Sequence, residues 1–312
     1  MRKENDIYAP VIIPTLCRYE HFKRCVESLS KCSLADKTEL IIGLDYPAKD
    51  EHVDGYSKIC KYVDTICGFK KVTVLRTDHN LGFGPKGNYA RLKEYALQHY
   101  DMFICSEDDN EFSPNFLEYM NKSLIKYKED ERIMAICGYN YPVDMKGYDK
   151  NIYASHEYSA WGTGYWKNKE FGLKQSRRHM EIVLHSPKSL WMLFWKRPGI
   201  IVTLINMMES GAFWGDTCRV TLSYLEDKYT IGPTVSKVRN HGHDGSGEHC
   251  VVSNRFENQV IDINRHIVLD DIPIKALDLQ SFKDYFAISF KNRLFLVKRL
   301  FQYYFKTKHN GE

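Results

Sequence analysis

Glu107, Asp108 and Asp109 stand in a row, and Glu111 follows two residues later. Carboxylates packed this closely repel one another unless a cation neutralises them. As hard oxygen donors they suit Mg²⁺ or Mn²⁺. A solvated acidic turn is the competing reading, and context weighs against it. The apolar run Met102 to Cys105 reads as a buried strand leading into the cluster. Ser113-Pro114 then opens a helical pattern in which Phe116, Leu117, Met120 and Leu124 recur, with Ser as cap and Pro at the first helical position. In an open α/β sheet, the carboxyl ends of the strands are where ligands bind.

Three other stretches carry chemistry. The first is glycine-rich, Asn80-Leu81-Gly82-Phe83-Gly84-Pro85-Lys86-Gly87-Asn88. Its glycines either make a tight turn or let backbone approach a ligand, with Lys86 near a phosphate. It is neither G-x-x-x-x-G-K-[ST] nor a G-x-G-x-x-G after the first strand, which argues against nucleotide hydrolases and dinucleotide enzymes. The second sets Asp216 between Trp214 and a helical pattern from Cys218 to Leu225, where an Asp is either an N-cap or a reactive group. The third, Asn240 to His249, places three His among glycines. His249 there is a candidate to complete a metal sphere or contact a phosphate, against the plainer reading of a loop histidine.

The elements that must position these groups follow from hydrophobic period. Strands are expected at Pro10 to Pro14, Glu39 to Leu44, Val72 to Leu75, Met102 to Cys105 and Met134 to Cys137. Helices are expected around Phe22 to Leu29, Val53 to Val63 and Tyr89 to Ala96. Such alternation predicts an α/β fold with a parallel, doubly wound sheet over roughly the first 140 residues. Ile231 to Val238 reads as one further strand, and no internal repeat is evident.

Composition sets the outer bounds. At 312 residues, 43% apolar and 27% charged, the chain is that of an ordinary globular protein of one large or two modest domains. A net charge of +4 is too small to argue for nucleic acid. Nine Cys without a CxxC pair suggest free thiols in a reducing cytoplasm. The polar start, Met1-Arg-Lys-Glu-Asn-Asp, has no apolar run behind it and does not read as a signal peptide. Leu190 to Ile205 is apolar but broken by Lys196-Arg197-Pro198-Gly199, so it is not expected to span a membrane.

In order along the chain, four stretches resemble a GT-A glycosyltransferase of the family-two type, and within it the bacterial branch similar to N-acetylglucosaminyltransferase I. They are P-V-I-I-P-T-L-C-R-Y-E-H-F-K-R-C-V-E-S-L, N-L-G-F-G-P-K-G-N, S-E-D-D-N-E-F-S-P-N-F-L and S-A-W-G-T-G-Y-W-K from Ser159 to Lys167. The likeness spans roughly the first 170 residues, continues faintly to about Cys250 and is absent from the last sixty.

The resemblance implies a GT-A fold with a nucleotide-sugar-binding half at 1–140, an acceptor half at 141–270 and a C-terminal basic amphipathic helix at 271–312. It implies a metal-dependent inverting sugar transfer from a nucleoside-diphosphate sugar, with a UDP-sugar favoured, to a glycan or lipid-linked glycan. Pro14, Thr15 and Arg18 fall where such enzymes hold base and ribose, Asp45 where an acid pairs with the base, and Lys86 and Asn88 where the loop meets the nucleotide. Asp109 takes the position that ligates Mn²⁺ or Mg²⁺, and Asp108 the one that contacts ribose or a metal-bound water. L-D-Y-P after the second strand departs from the family's D-D-G-S, so the contact of Asp45 is less defined.

The catalytic base is assigned to Asp216, with Glu157 in reserve, by resemblance to a W-x-[DE] context. Trp161 and Trp214 are candidates for a sugar-stacking wall, whereas Trp166 reads as core. Two other classes compete. A sugar nucleotidyltransferase should carry a G-G-x-G-T-R-type loop, which P-T-L-C-R-Y-E is not; a non-catalytic carbohydrate-binding protein should have lost its acidic site.

The C-terminus adds a last expectation. Phe286, Phe290, Leu294, Val297, Phe301 and Tyr304 form an apolar stripe flanked by Lys and Arg over 286–308. It suits the inner face of a bacterial membrane, where a lipid-linked acceptor for surface polysaccharide would be met. Packing on the catalytic domain, or in a homodimer, is the competing account.

Overall fold

The structure, a computed structural model, describes residues 8–172, 176–245 and 259–309. Its first part alternates strand and helix: β1 (Val11–Thr15), α1 (Tyr19–Ser30), β2 (Glu39–Leu44), α2 (Val53–Val63), β3 (Lys71–Arg76), α3 (Asn88–His99) and β4 (Met102–Cys105). A short strand β5 (Asn110–Phe112), helix α4 (Phe116–Lys126) and strands β6 (Ile133–Cys137), β7 (Ile152–Ser155) and β8 (Thr163–Trp166) follow. Five helices come next: α5 (Lys167–Gly172), α6 (Arg177–His185), α7 (Pro187–Lys196), α8 (Pro198–Ser210) and α9 (Gly215–Leu225). Strands β9 (Tyr229–Pro233) and β10 (Val238–Asn240) precede the last two helices, α10 (Gln280–Phe286) and α11 (Phe290–His309).

One eight-stranded sheet in the order β3-β2-β1-β4-β8-β6-β9-β7 organises these elements. It is mostly parallel and carries helices on both faces, as an α/β fold of the doubly wound kind requires. Val11 and Ile13 join the core on one face with α1, while Ile12 joins the core on the other with α3. Strands buried on both faces read as unbroken apolar runs, which is why β2 and β4 end where the sequence predicts. Gly43 in β2 has no room for a side chain: a Cβ there would lie 2.6 Å from Leu92 and 2.8 Å from Asn88 Oδ1. The absent side chain lets α3 seat close to the sheet.

Four expectations are corrected. The Met134 to Cys137 strand does not lie beside β4, because β8 inserts between them antiparallel to both. The register Met102↔Trp166 to Cys105↔Thr163 shows a chain returning through the middle of the sheet. Helix α4 begins at Phe116 with Asn115 before it, not at Pro114; the Ser113 hydroxyl donates to Asn115 Oδ1 at 3.0 Å and caps no backbone N–H. The run Ile231 to Val238 is two strands, since β9 ends at Pro233 and β10 leaves the main sheet to pair with β5. The C-terminal region holds two helices, and Phe286 belongs to α10, with the Arg197 guanidinium over its ring at 4.3 Å.

Candidate functional site

The carboxyl ends of β1, β2 and β4 converge as the parallel part of the sheet dictates. Arg18, just past β1, is hydrogen-bonded to Asp108 Oδ1 and lies 2.9 Å from Asp109 Oδ2. Thr15 Oγ1 donates to Asp108 Oδ2 at 3.0 Å. Burial opposes the Arg18 charge, yet Asp108 and Asp109 outweigh it and hold the guanidinium pKa above its ordinary value. Asp108 is pushed upward by burial and by Asp109, against the pull of Arg18. Close carboxylates therefore exist here with a guanidinium between them. Half-buried Pro14 in β1 pairs with Gly43, one residue before Thr15 ends the strand.

A second wall comes from the β5–β10 ribbon, paired Asn110↔Asn240 to Phe112↔Val238. It carries Asn240 over Asp109, where Asn240 Nδ2 donates to Asp109 Oδ1 at 2.6 Å. The His241 backbone N–H donates to the Asp109 carbonyl at 2.9 Å, and the His241 ring lies 2.7 Å from Glu111 Oε2. Gly242 follows directly over the carboxylate: a methyl there would lie 2.8 Å from Asp109 Cγ, with Oδ2 nearer still. Glycine thus lets the backbone pass close against Asp109 Oδ2, where a side chain would clash. His243 meets the half-exposed Trp161 edge-on at 5.6 Å, and Trp161 meets Tyr139 the same way at 4.6 Å. His249 lies outside the described residues.

The third wall is the start of α9. Asp216 sits in its first turn, where Trp214 occupies the cap position, so Asp216 is not the N-cap. Its side chain is exposed. Desolvation by the surrounding protein raises its pKa, and Arg219 one turn on opposes the rise. Glu107 is exposed as well, and it is pushed upward by desolvation, then by Asp109, Asp216 and Asp108. Glu107 and Asp216 are thus near enough to feel each other's charge. Exposed Phe213 and Trp214 flank Asp216.

Beneath α9 lies a buried charge network. Arg219 donates to Glu170 Oε2 at 2.6 Å and stacks over the Tyr165 ring at 4.6 Å. Glu170 also pairs with Lys93 of α3. The network ties the helix that follows the glycine-rich loop to the helix that carries Asp216.

Other expected site residues are placed differently. Asp45 is buried and spends both oxygens on the next residue and on the neighbouring loop between β3 and α3. Oδ1 accepts from the Tyr46 and Leu81 N–H groups and Thr77 Oγ1, and Oδ2 accepts from the Gly82 N–H and Asn80 Nδ2. It shapes the glycine-rich turn, and no lone pair remains for a base. Asn88 is buried at the start of α3 and donates to the Gly43 carbonyl at 2.7 Å, so it fastens α3 to β2. Lys86 stands exposed on the loop before it. Glu157 is not a spare base: it is buried, and its Oε1 accepts from Arg197 Nε and Tyr224 OH, each at 2.8 Å. Trp166 is core, donating to the Leu124 carbonyl at 2.9 Å. Asn240 and Gly242 were hidden in a stretch whose histidines draw the eye; the polar Asn ending β10 was the available signal.

Among the described residues, no group of three or more His, Cys, Asp and Glu side chains could by itself hold a metal ion. Asp109, with Asp108 beside it, nonetheless has the donor chemistry a hard cation accepts when substrate oxygens complete its sphere.

An open, mostly parallel eight-stranded sheet with helices on both faces, and an acidic pair at the carboxyl end of β4, is an α/β domain of the GT-A kind. Residues 11–193 match the family model described as glycosyl transferase family 2, and the chain belongs to that family. No curated protein matches the sequence. Among solved structures, the chain is similar to S. aureus TarS, at 12% identity and a TM-score of 0.36, covering 70% of this chain and 43% of that one. A TarS 1-349 structure gives 13%, 0.37, 70% and 71%. A mannosyltransferase, PcManGT from Pyrobaculum calidifontis in complex with GDP-Man and Mn2+, gives 12% and 0.37, covering 74% of this chain and 59% of that one. The chain thus spans about half the length of the full TarS chain and of the mannosyltransferase.

Proposed function

We propose that the chain transfers a sugar, with inversion, from a nucleoside-diphosphate sugar to a hydroxyl of a glycan. The observation that carries this reading is the Arg18–Asp108–Asp109 cluster at the carboxyl ends of β1 and β4, in a chain of glycosyl transferase family 2. In single displacement the acceptor oxygen bonds to the anomeric carbon as the bond from that carbon to the diphosphate breaks. Asp216 takes the hydroxyl proton, and the nucleoside diphosphate leaves. Thr15 and Arg18 hold the donor side; Arg18 also offers a positive group to a diphosphate. Asp109, supported by Asp108, would hold Mn²⁺ or Mg²⁺. Such a cation supplies neutralisation of the charge growing on the leaving diphosphate.

The sequence resemblance favours a UDP-sugar, a hexosyl or N-acetylhexosaminyl group, and the branch similar to N-acetylglucosaminyltransferase I. A lipid-linked acceptor of surface polysaccharide synthesis, used on the cytoplasmic side of a membrane, is the acceptor class we assign. The test is a panel of nucleotide sugars with and without chelator, read as nucleotide release and thermal stabilisation. One donor should stand out, dependent on divalent cation, and Asp109→Ala should abolish its turnover while the protein stays folded. Full turnover in Asp109→Ala, or in excess chelator, refutes the cation-assisted reading.

A further inference from the structure

Helix α11 has two faces with different fates. Leu296 and Tyr303 are buried in the core beside α8, with Leu300 and Tyr304 packed against it. On the other side Phe290, Leu294, Val297, Phe301 and Phe305 recur at spacings of three and four and are all exposed, Phe290 by 75%, Phe301 by 61% and Phe305 by 65%. The core needs only one face of this helix, so the outward stripe is surplus to folding. Exposed apolar residues scattered singly need no account, but a contiguous stripe marks a contact surface.

The stripe continues onto α7. The Arg293 guanidinium lies 5.4 Å from the Phe194 ring and 5.6 Å from that of Trp195. Phe290 and Val297 flank Arg293 on the helix surface, at three and four residues. The α7 aromatics therefore border the stripe. Trp191, 68% exposed, and Trp195 meet edge-on at 5.6 Å on the same helix. Tryptophan and phenylalanine exposed together suit the boundary between acyl chains and headgroups.

Charge selects the occupant. Helix α11 carries Lys291, Arg293, Lys298, Arg299, Lys306 and Lys308 and no Asp or Glu. Helix α7 adds Lys188 and Lys196, again without an acid. Arg299 is paired with Glu209 of α8, whereas Lys291, Lys298 and Lys306 stand exposed beside the stripe. Among the described residues no helix is long and apolar enough to cross a membrane. An amphipathic, basic, aromatic helix of this kind lies in the plane of an anionic interface.

We infer that α7 and α11 together form a docking face for an anionic lipid surface, with Trp191, Trp195 and the outward α11 stripe entering the headgroup region. It rests on the glycosyltransferase reading only for its purpose, bringing the site to a lipid-linked acceptor; the binding itself is independent of turnover.

The full chain is mixed with vesicles of phosphatidylcholine alone or with phosphatidylglycerol, and binding is read by co-sedimentation and by quenching of tryptophan with brominated lipid. Binding to the anionic vesicles at low salt is expected, with weakening as salt rises. Lys291→Glu with Lys298→Glu should weaken it by about tenfold or more. Trp191→Phe with Trp195→Phe should remove most of the quenching. Phe301→Ser with Phe305→Ser should release the protein from vesicles. These side chains are exposed, so melting temperature and donor hydrolysis should hold and separate loss of docking from loss of fold or of catalysis. A full chain that ignores anionic vesicles at low salt overturns the proposal. So does a stable dimer in solution that Phe301→Ser with Phe305→Ser dissociates, which would give the stripe to a second copy.

Discussion

Replacing Asp216 by Asn removes a proton acceptor and changes little else. The side chain is exposed, takes no hydrogen bond from a described residue and does not cap α9, so the fold should tolerate the amide. On the proposed mechanism, what is lost is general-base assistance to the acceptor hydroxyl, about 10²–10⁴ in rate. That is roughly 3–5 kcal/mol of transition-state stabilisation at 1.36 kcal/mol per decade. The loss should appear in kcat with the donor KM nearly unchanged, because the proposed base acts on the acceptor and not on the donor. The pH profile adds a second reading. Desolvation raises the Asp216 pKa, and a base acts only when ionised, so the wild-type rate should climb with pH through a value above the ordinary aspartate range. That limb should vanish in Asp216→Asn. Glu157→Gln is the control: it breaks a buried pair with Arg197 and should lower stability first. Normal kcat in Asp216→Asn, with kcat collapsing in a folded Glu157→Gln, would refute the assignment.

Gly242→Ala should impair donor and cation binding together, since its methyl would displace an Asp109 carboxylate already held by Arg18 and Asn240; titration calorimetry with nucleotide and Mn²⁺ checks it, with a stability loss of about 1–3 kcal/mol. Glu170→Gln should destabilise the fold by about 3–5 kcal/mol, because it leaves the buried Arg219 charge with its partner gone. Burial raises the Glu170 pKa, but Arg219 and Lys93 pull it below the ordinary glutamate value. Its folded pKa is therefore depressed, so its stabilisation is present above the unfolded glutamate pKa and is lost as pH falls through the folded one. Melting curves from neutral to acid pH should accordingly show a smaller Glu170→Gln penalty at the acid end.

What could be read from the chain alone was whatever local pattern dictates. Strands β2 and β4 and helix α2 fall at the expected residues because both faces of a parallel strand, and one face of a helix, must be apolar. The place of β8 could not be read, since its neighbours β4 and β6 are chosen by pairing across the whole domain. Nor could the β5–β10 ribbon, where three residues a side are too few to show a period.

The site divides along the same line. Asp108 and Asp109 stood out as an acidic run at a strand end, Thr15 and Arg18 only through the family resemblance, and the fold brings the four together. Asp45 and Asn88 occupy similar strand-end and loop positions, yet partners within their own half of the sheet consume them. Residue type at a strand end therefore names a candidate, and the partners the fold supplies sort the candidates. Asp216 stays exposed, whereas Glu157, alike in charge, has surrendered its carboxylate to Arg197 and Tyr224. The difference lies in partners 40 and 67 residues away, which no local spacing in the chain could report.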